Sequence, residues 1–415
     1  MQHVVIEKPY QFVPPHRGTW WPSLIRDFNL HAIHLRRVEG VVDYECRHLD
    51  RLRASMEAGH GILLAPNHSR NADPLVLGWL CRETPCLIYA LASWHLFNQG
   101  WFHAWAIRKM GGFSVNRETI DRQAINTAIE ILETAERPLV IFPEGAMTRT
   151  NDRLHALLDG VSFIARTAAK RRAKRSAGKV VVHPVGIKYL FGGDLRAAVE
   201  PVLSEIESRF TWQSDHSEPL IDRIGRIGQA LLCLKEIEYF GRAQHGRLHD
   251  RIEGLIDRLL SPLEDEWLSG NHSGGVVARV KALRMKLLPG MIEGRIDEVE
   301  RRRRWKQLGD IYLAQQVSCY PPDYLTDYRS VDRMLETVER FEEDLTDRVR
   351  VHGSLKAIIE IDEPIEVSPE RDRKAKVDPL MAALEQRLTA MLARLAEESR
   401  PFEERIDVPS EVTQS

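Results

Sequence analysis

No stretch of this chain reaches the roughly 18 consecutive apolar residues that a membrane-crossing helix needs, so any membrane role is expected to be peripheral. The N-terminal segment MQHVVIEKPYQFVPP lacks an apolar core region, and no signal peptide is expected. Cysteine is sparse: Cys46, Cys81, Cys86, Cys233 and Cys319 form no CxxC pair and no zinc spacing. A reducing compartment is the simplest inference, and no metal site is expected. Charge of one sign is also missing. The formal net charge is −2, which gives no ground for a nucleic-acid partner.

What is present is ordinary for a globular protein. Hydrophobic residues make up 43% and charged residues 28% of 415 residues, enough for one to three domains. Two basic runs, KRRAKR (170–175) and RRRRWK (301–306), read either as solvated helix faces or as contacts for anionic lipid, a phosphorylated substrate or an acidic carrier protein. In WPSLIRDFNLHAIHL (21–35), Trp21, Leu24, Ile25, Phe28, Ala32 and Leu35 share one helical face. Trp20, Trp21 and the flanking Arg26, Arg36 and Arg37 leave two readings, packing on the domain or lying at a membrane interface. Residues 1–60 are thus expected to be an N-terminal amphipathic, helical segment.

From residue 61 short apolar runs alternate with helical patterns: GILLAP (61–66), CLIYALA (86–92), GFSV (112–115), LVIFP (139–143) and KVVVHPVGI (179–187). Between them, Ile125, Ala128, Ile129 and Leu132 mark a helix over 123–136. Buried strands alternating with helices predict an α/β core over 61–200, with a mixed, largely parallel sheet flanked by helices. Helical stripes then take over. Leu220, Ile224, Ile227, Leu231 and Leu234 form one, a second runs from Leu248 to Leu263, and a third from Val331 to Leu345. They predict an all-helical insertion or appended lobe over 201–352. Strand character returns in SLKAIIEIDEPIEV (354–367), followed by a helix in DPLMAALEQRLTAML (378–392). Residues 353–395 are therefore read as the core's closing strand and helix, and 396–415 as a flexible tail.

The stretch APNHSRNADP (65–74) joins a strand end to a helix start and is crowded with polar residues. Asp73 before Pro74 suits a helix N-cap, which leaves Asn67 and His68 unexplained. HGRLHD repeats the spacing with His245 and Asp250, but in a helical region. On a helix, five residues place side chains roughly 140° apart, whereas a loop can fold Asp73 back onto His68. Strand C-terminal ends are also where α/β sheets place their sites. A carboxylate accepting from one imidazole nitrogen fixes the tautomer and leaves the other nitrogen free as a general base. Ser69 raises a serine-hydrolase reading, but the chain has no GxSxG elbow.

These residues, with three later blocks, resemble the PlsC-like lysophospholipid (1-acylglycerol-3-phosphate) acyltransferase family. NHSRNAD (67–73) resembles its NHx4D block, GGFSVNR (111–117) the block ending in an acceptor-binding Arg, IFPEGAMTR (141–149) its FPEG block and VVHPVGI (181–187) its last block, with Pro184 as the characteristic proline. AIIEIDEPIEV (357–367) resembles the family's closing segment. The resemblance covers residues 60–190 and about 355–395. It implies catalysis by His68 and Asp73, and acceptor-site roles for Asn67, Arg117, Glu144, Gly145 and Arg149. Where the family usually runs FPEGTRS, Ala146 and Met147 here follow the glycine, and Arg149 is the next arginine.

The implied activity is O-acyl transfer from acyl-CoA or acyl-ACP to the hydroxyl of a lysophospholipid or glycerol-phosphate-like acceptor. No cofactor beyond the acyl co-substrate is implied. The implied setting is the cytoplasmic face of the membrane. The same pair acting on water would give a thioesterase or lipid esterase, and a lipid-binding scaffold is a third reading. Bland alternatives stand beside each role. Asp73 could only cap its helix, Arg117 could be a surface ion-pair residue and Glu144 could brace its loop. Trp94, Trp101 and Trp105 read as core, as an acyl-channel wall or as a membrane-facing edge.

Overall fold

The computed structural model describes residues 7–175, 178–348, 350–370 and 377–403. Two short helices, α1 (Trp20–Asp27) and α2 (His31–Val38), lead into β1 (Val41–Arg47) and α3 (Leu49–Glu57). There follow β2 (Gly61–Pro66), α4 (Asp73–Glu83), β3 (Tyr89–Ser93), a 3-10 turn (Trp94–Asn98), α5 (Trp101–Lys109) and β4 (Gly112–Val115). Next come α6 (Arg122–Thr134), β5 (Leu139–Val140), α7 (Gly160–Arg172), β6 (Val180–Phe191) and α8 (Leu195–Arg209). The long helices are α9 (Leu220–Phe240), α10 (Leu248–Leu268), α11 (Val276–Ile292), α12 (Glu298–Val317) and α13 (Val331–Thr346). The chain closes with β7 (Leu355–Ile361), β8 (Ile365–Glu366) and α14 (Pro379–Ala396).

The strands form one sheet in the order β1-β7-β6-β2-β5-β3-β4, with β8 beside β6. From β6 to β4 all neighbours are parallel. The β7 strand runs antiparallel to β6 and parallel to β1, so the sheet is mixed and largely parallel. Period-two alternation divides the core. Ile62 and Leu64 of β2 pack with α4, α8 and α13 on one face. Leu63 and Ala65 pack with α6, α7 and α14 on the other. Both faces of β2 are buried, as its unbroken apolar run requires.

Several expectations need correction. The 21–35 stripe is two helices, because Asn29 adopts a left-handed conformation (φ 53°) and breaks it. The first 60 residues are not only helical, since they also supply the edge strand β1. The long helical region is not one lobe. Apolar residues of α8, of the start of α9 and of α13 belong to the same core as the sheet. Only α10, α11 and α12, with the end of α9, share a separate apolar core. The tail is packed where it is described: Ser399 Oγ donates to Asp332 Oδ2 at 2.6 Å and Val331 N to the Arg400 carbonyl at 2.9 Å. The rest of the expected tail, 404–415, lies outside the described residues.

A buried polar network fastens α13 to the sheet. Arg333 Nε donates to Asp152 Oδ2 at 3.0 Å and its Nη1 to the Tyr324 carbonyl at 2.9 Å. Lys188 of β6 lies 3.5 Å from Asp332 Oδ2 and 3.7 Å from Asp152 Oδ2, with no exposure to solvent. Charged residues buried in this way stay charged only when paired. The basic runs, by contrast, follow the solvated reading over most of their length: Arg303 and Arg304 pair with Glu300 on α12, and Arg175 with Glu133. Arg172 is the exception, buried and donating to the Glu133 and Gly178 carbonyls.

Candidate active site

The parallel strands β2, β5, β3 and β4 deliver their C-terminal ends to one edge of the sheet, and the loops leaving them build the site. The loop after β2 folds Asp73 back onto His68, with Nδ1 and Oδ2 2.8 Å apart. The same oxygen accepts the Ser69 and Arg70 backbone N–H groups at 2.7 and 2.9 Å. Oδ1 accepts the Tyr189 hydroxyl at 2.6 Å. Asp73 is wholly buried. Four hydrogen bonds therefore compensate its burial and fix its direction.

The N-cap expectation is corrected here. The helix begins at Asp73, Ala72 occupies the capping position, and no side chain caps it. The carboxylate serves the loop and the imidazole instead. With Asp73 accepting, Nδ1 carries the ring proton, which leaves Nε2 as the lone-pair nitrogen. Among the described residues Nε2 has no hydrogen-bond partner, and the side chain is 20% exposed. Phe142 packs against the ring with centroids 4.2 Å apart. Ser69 is buried, and among the described residues no base is hydrogen-bonded to its hydroxyl, which disfavours it as a nucleophile.

Two of the expected substrate contacts are braces. Asn67 Oδ1 accepts from Ile187 N at 2.7 Å, and its Nδ2 donates to the Ile187 carbonyl at 3.0 Å. Both ends of the amide are spent on β6. Glu144 Oε1 accepts His68 N at 2.7 Å and Oε2 accepts His155 N at 2.8 Å. Its carboxyl is pushed up to about 8, by burial first and by the charge of Asp73, against the pull of the two N–H bonds. Glu144 thus holds the FPEG loop against the His68 loop.

Gly145 takes a left-handed conformation (φ 69°), and a Cβ there would meet Leu158 at 2.3 Å, so only glycine fits this turn. Its carbonyl accepts a hydrogen bond from Arg117 Nη2. Arg117 therefore sits over the FPEG turn. Burial, together with the nearby charge of Arg284, lowers its guanidinium to about 10. Arg149 is held by Glu343 of α13, which ties its charge to the helix rather than leaving it for an anion.

Sequence reasoning missed the part played by α13. Arg70, inside the NHx4D block, donates to Glu339 at 2.7 Å. Arg340 donates to the carbonyl of Arg149, and Glu336 accepts from Asn151 N at 3.3 Å. One helix thus clamps both site loops. The signal was the run of charges at helical spacing from Arg333 to Glu343, which reads equally well as a solvated face. Tyr189 was also missed, since it lies two residues beyond the last block. His245 and Asp250 are not brought together. His245 lies in the turn before α10 and not on a helix, and Asp250 pairs with Arg247. Among the described residues no group of three or more His, Cys, Asp or Glu is placed to hold a metal ion.

Residues 44–188 match the acyltransferase family. They include the His68 loop, Arg117 and the FPEG loop, while α13 and the helical bundle lie beyond. A 1-acyl-sn-glycerol-3-phosphate acyltransferase of Streptococcus pneumoniae is 32% identical over 110 residues, 26% of this chain. The match spans 38% of that relative's length. The similarity is thus confined to residues 44–188, and the long helices are additional to the matched segment.

Proposed function

We propose that this protein transfers a fatty acyl group from a thioester, on coenzyme A or acyl carrier protein, to the hydroxyl of a lysophospholipid or glycerol-phosphate-like acceptor. The observation that carries the reading is the open Nε2 of His68 opposite an Asp73 fixed by four hydrogen bonds. The acceptor hydroxyl gives its proton to Nε2 as its oxygen attacks the thioester carbonyl. The C–S bond then breaks, the new ester forms, and the imidazolium returns the proton to the leaving thiolate. Asp73 stabilises the imidazolium between these steps. Mass spectrometry of lipids made from acyl-CoA with and without a lysolipid tests the reading. New acylated lipid is expected, and free fatty acid made equally in both reactions would indicate hydrolysis.

Arg117 is assigned to the acceptor's phosphate. Arg117→Ala is expected to raise the acceptor KM by roughly ten- to a hundredfold, the cost of a charge-assisted hydrogen bond of about 1.5–3 kcal/mol. The donor KM should stay within a factor of about two. Equal rises in both would assign Arg117 to support of the Gly145 turn.

Membrane docking is supported by an exposed aromatic surface. Rings run in contact from Trp20 to Trp21, Trp105, Phe102 and Trp101, joining α1 to α5 with centroids 4.4–5.9 Å apart. Trp101 is 82% and Trp20 63% exposed, and Arg36 and Arg37 stand exposed on the adjoining α2. The core reading of Trp101 is thereby corrected. Among the described residues no helix is long and apolar enough to cross a membrane. Aromatic side chains beside cationic ones suit an anionic interface. Replacing Trp20, Trp101 and Phe102 by Ser is expected to shift most of the protein from anionic vesicles to the unbound fraction in flotation. Unchanged flotation would remove this surface as the docking face.

A further inference from the structure

One helix of the bundle, α11, reaches the loop that leaves β4 at the catalytic edge of the sheet. Arg284, Leu288 and Ile292 recur every four residues on α11 and so share one face. Leu288 and Ile292 close a shallow cavity whose other walls include Lys8, Tyr10, Trp94, His95 and Arg117. Arg284 is 9% exposed, yet it is a side chain that almost never goes into a protein interior unpaired. Its Nη2 lies 2.5 Å from Glu118, while its buried Nε has no hydrogen-bond partner among the described residues. Arg117 has no carboxylate within ion-pair distance among the described residues, and its Nη2 donates to the Gly145 carbonyl. One buried guanidinium, Arg284, and one half-buried one, Arg117, thus lie near the single carboxylate of Glu118.

The charges lie close enough to act on each other. His95 is lowered to about 4, by burial first and then by Arg117 and Arg284. Lys281 adds a further positive charge beside Glu118. A low-dielectric site with surplus positive charge is unfavourable while empty and favourable once an anion enters. Planar guanidinium forks match phosphate oxygens in particular.

We propose that Arg284, contributed by the helical bundle, completes with Arg117 a binding site for the phosphate monoester of the acyl acceptor. The bundle is then part of acceptor recognition and not only an accessory body. The acceptor assignment rests on the acyl-transfer reading given above, whereas binding of a phosphate monoester does not.

The test is calorimetric titration with glycerol 3-phosphate, beside the KM values for lysophosphatidic acid and for acyl-CoA. Arg284→Gln is expected to weaken glycerol 3-phosphate at least tenfold and to raise the lysophosphatidic acid KM by a similar factor. The acyl-CoA KM should be unchanged. Arg284→Lys should recover part of the loss, and Glu118→Gln should bind as tightly as the parent or more tightly, because it removes the competing anion. An unchanged affinity in folded Arg284→Gln would overturn the proposal. So would an equal loss in Glu118→Gln, which would make the pair structural, or a rise confined to the acyl-CoA KM, which would give the site to the donor. If Arg284→Gln does not fold, Glu118→Gln decides by the same criterion. A protein that binds glycerol 3-phosphate through Arg284 but acylates nothing would uphold the site and sink the acyl-transfer reading.

Discussion

His68→Ala should lower acyl transfer by about 10²–10⁴ or more, the range for a lost general base, while circular dichroism stays unchanged. Asp73→Asn should be comparably damaging for a different reason. An amide oxygen can still accept the Ser69 and Arg70 N–H groups, and the Tyr189 hydroxyl can turn to accept from the amide nitrogen. The loop is therefore expected to keep its shape. What is lost is the negative charge that stabilises the imidazolium as it takes the acceptor's proton. A folded and fully active Asp73→Asn would show that the carboxylate only orders the loop. His245→Ala and Asp250→Asn provide the matched control, with the same spacing but with Asp250 paired to Arg247. Neither is expected to change turnover.

Arg333→Leu should cost about 3–5 kcal/mol of stability, the typical loss when one partner of a buried ion pair is removed. Arg333 is buried against Asp152, donates to two backbone carbonyls, and lies over the Tyr324 ring at 4.7 Å. Asp323→Ala breaks the exposed pair with Arg153 and should cost no more than about 1 kcal/mol. Chemical denaturation followed by tryptophan fluorescence compares the two. A small loss at Arg333, equal to that at Asp323, would place α13 outside the folded core. The clamp on Arg70 and Arg149 would then be incidental.

Unbroken apolar runs make their part of the fold legible from the residues alone. β2 and β4 lie where GILLAP and GFSV place them, because nearly every residue of each run is apolar and buried. β1 escapes such a reading because VVDYECR has mostly half-exposed or exposed residues and finds its partner, β7, some 300 residues later. β5 shrinks to Leu139–Val140 because the chain must turn early to build the FPEG loop. Helical spacing identifies α13 as a helix, but periodicity cannot tell which body buries it. Its core membership comes from contacts with β6 and the 150–153 loop.

The site divides in the same way. His68 lies in the short loop that ends where Asp73 begins α4, so their meeting can be argued from that loop alone. The bracing of Asn67 by Ile187, of Glu144 by two backbone N–H groups, and of Arg149 by Glu343 depends on chain segments far away in sequence. A motif names the residue types that recur at a site. It does not say which of them face the substrate and which hold the loops still.

The most direct test of the central claim is product analysis with purified protein, acyl-CoA and lysophosphatidic acid, comparing the parent chain with His68→Ala. A diacylated phospholipid is expected, whose formation needs the lysolipid and falls at least a hundredfold without the imidazole. Free fatty acid as the only product, or diacylated lipid formed equally by both proteins, would contradict it.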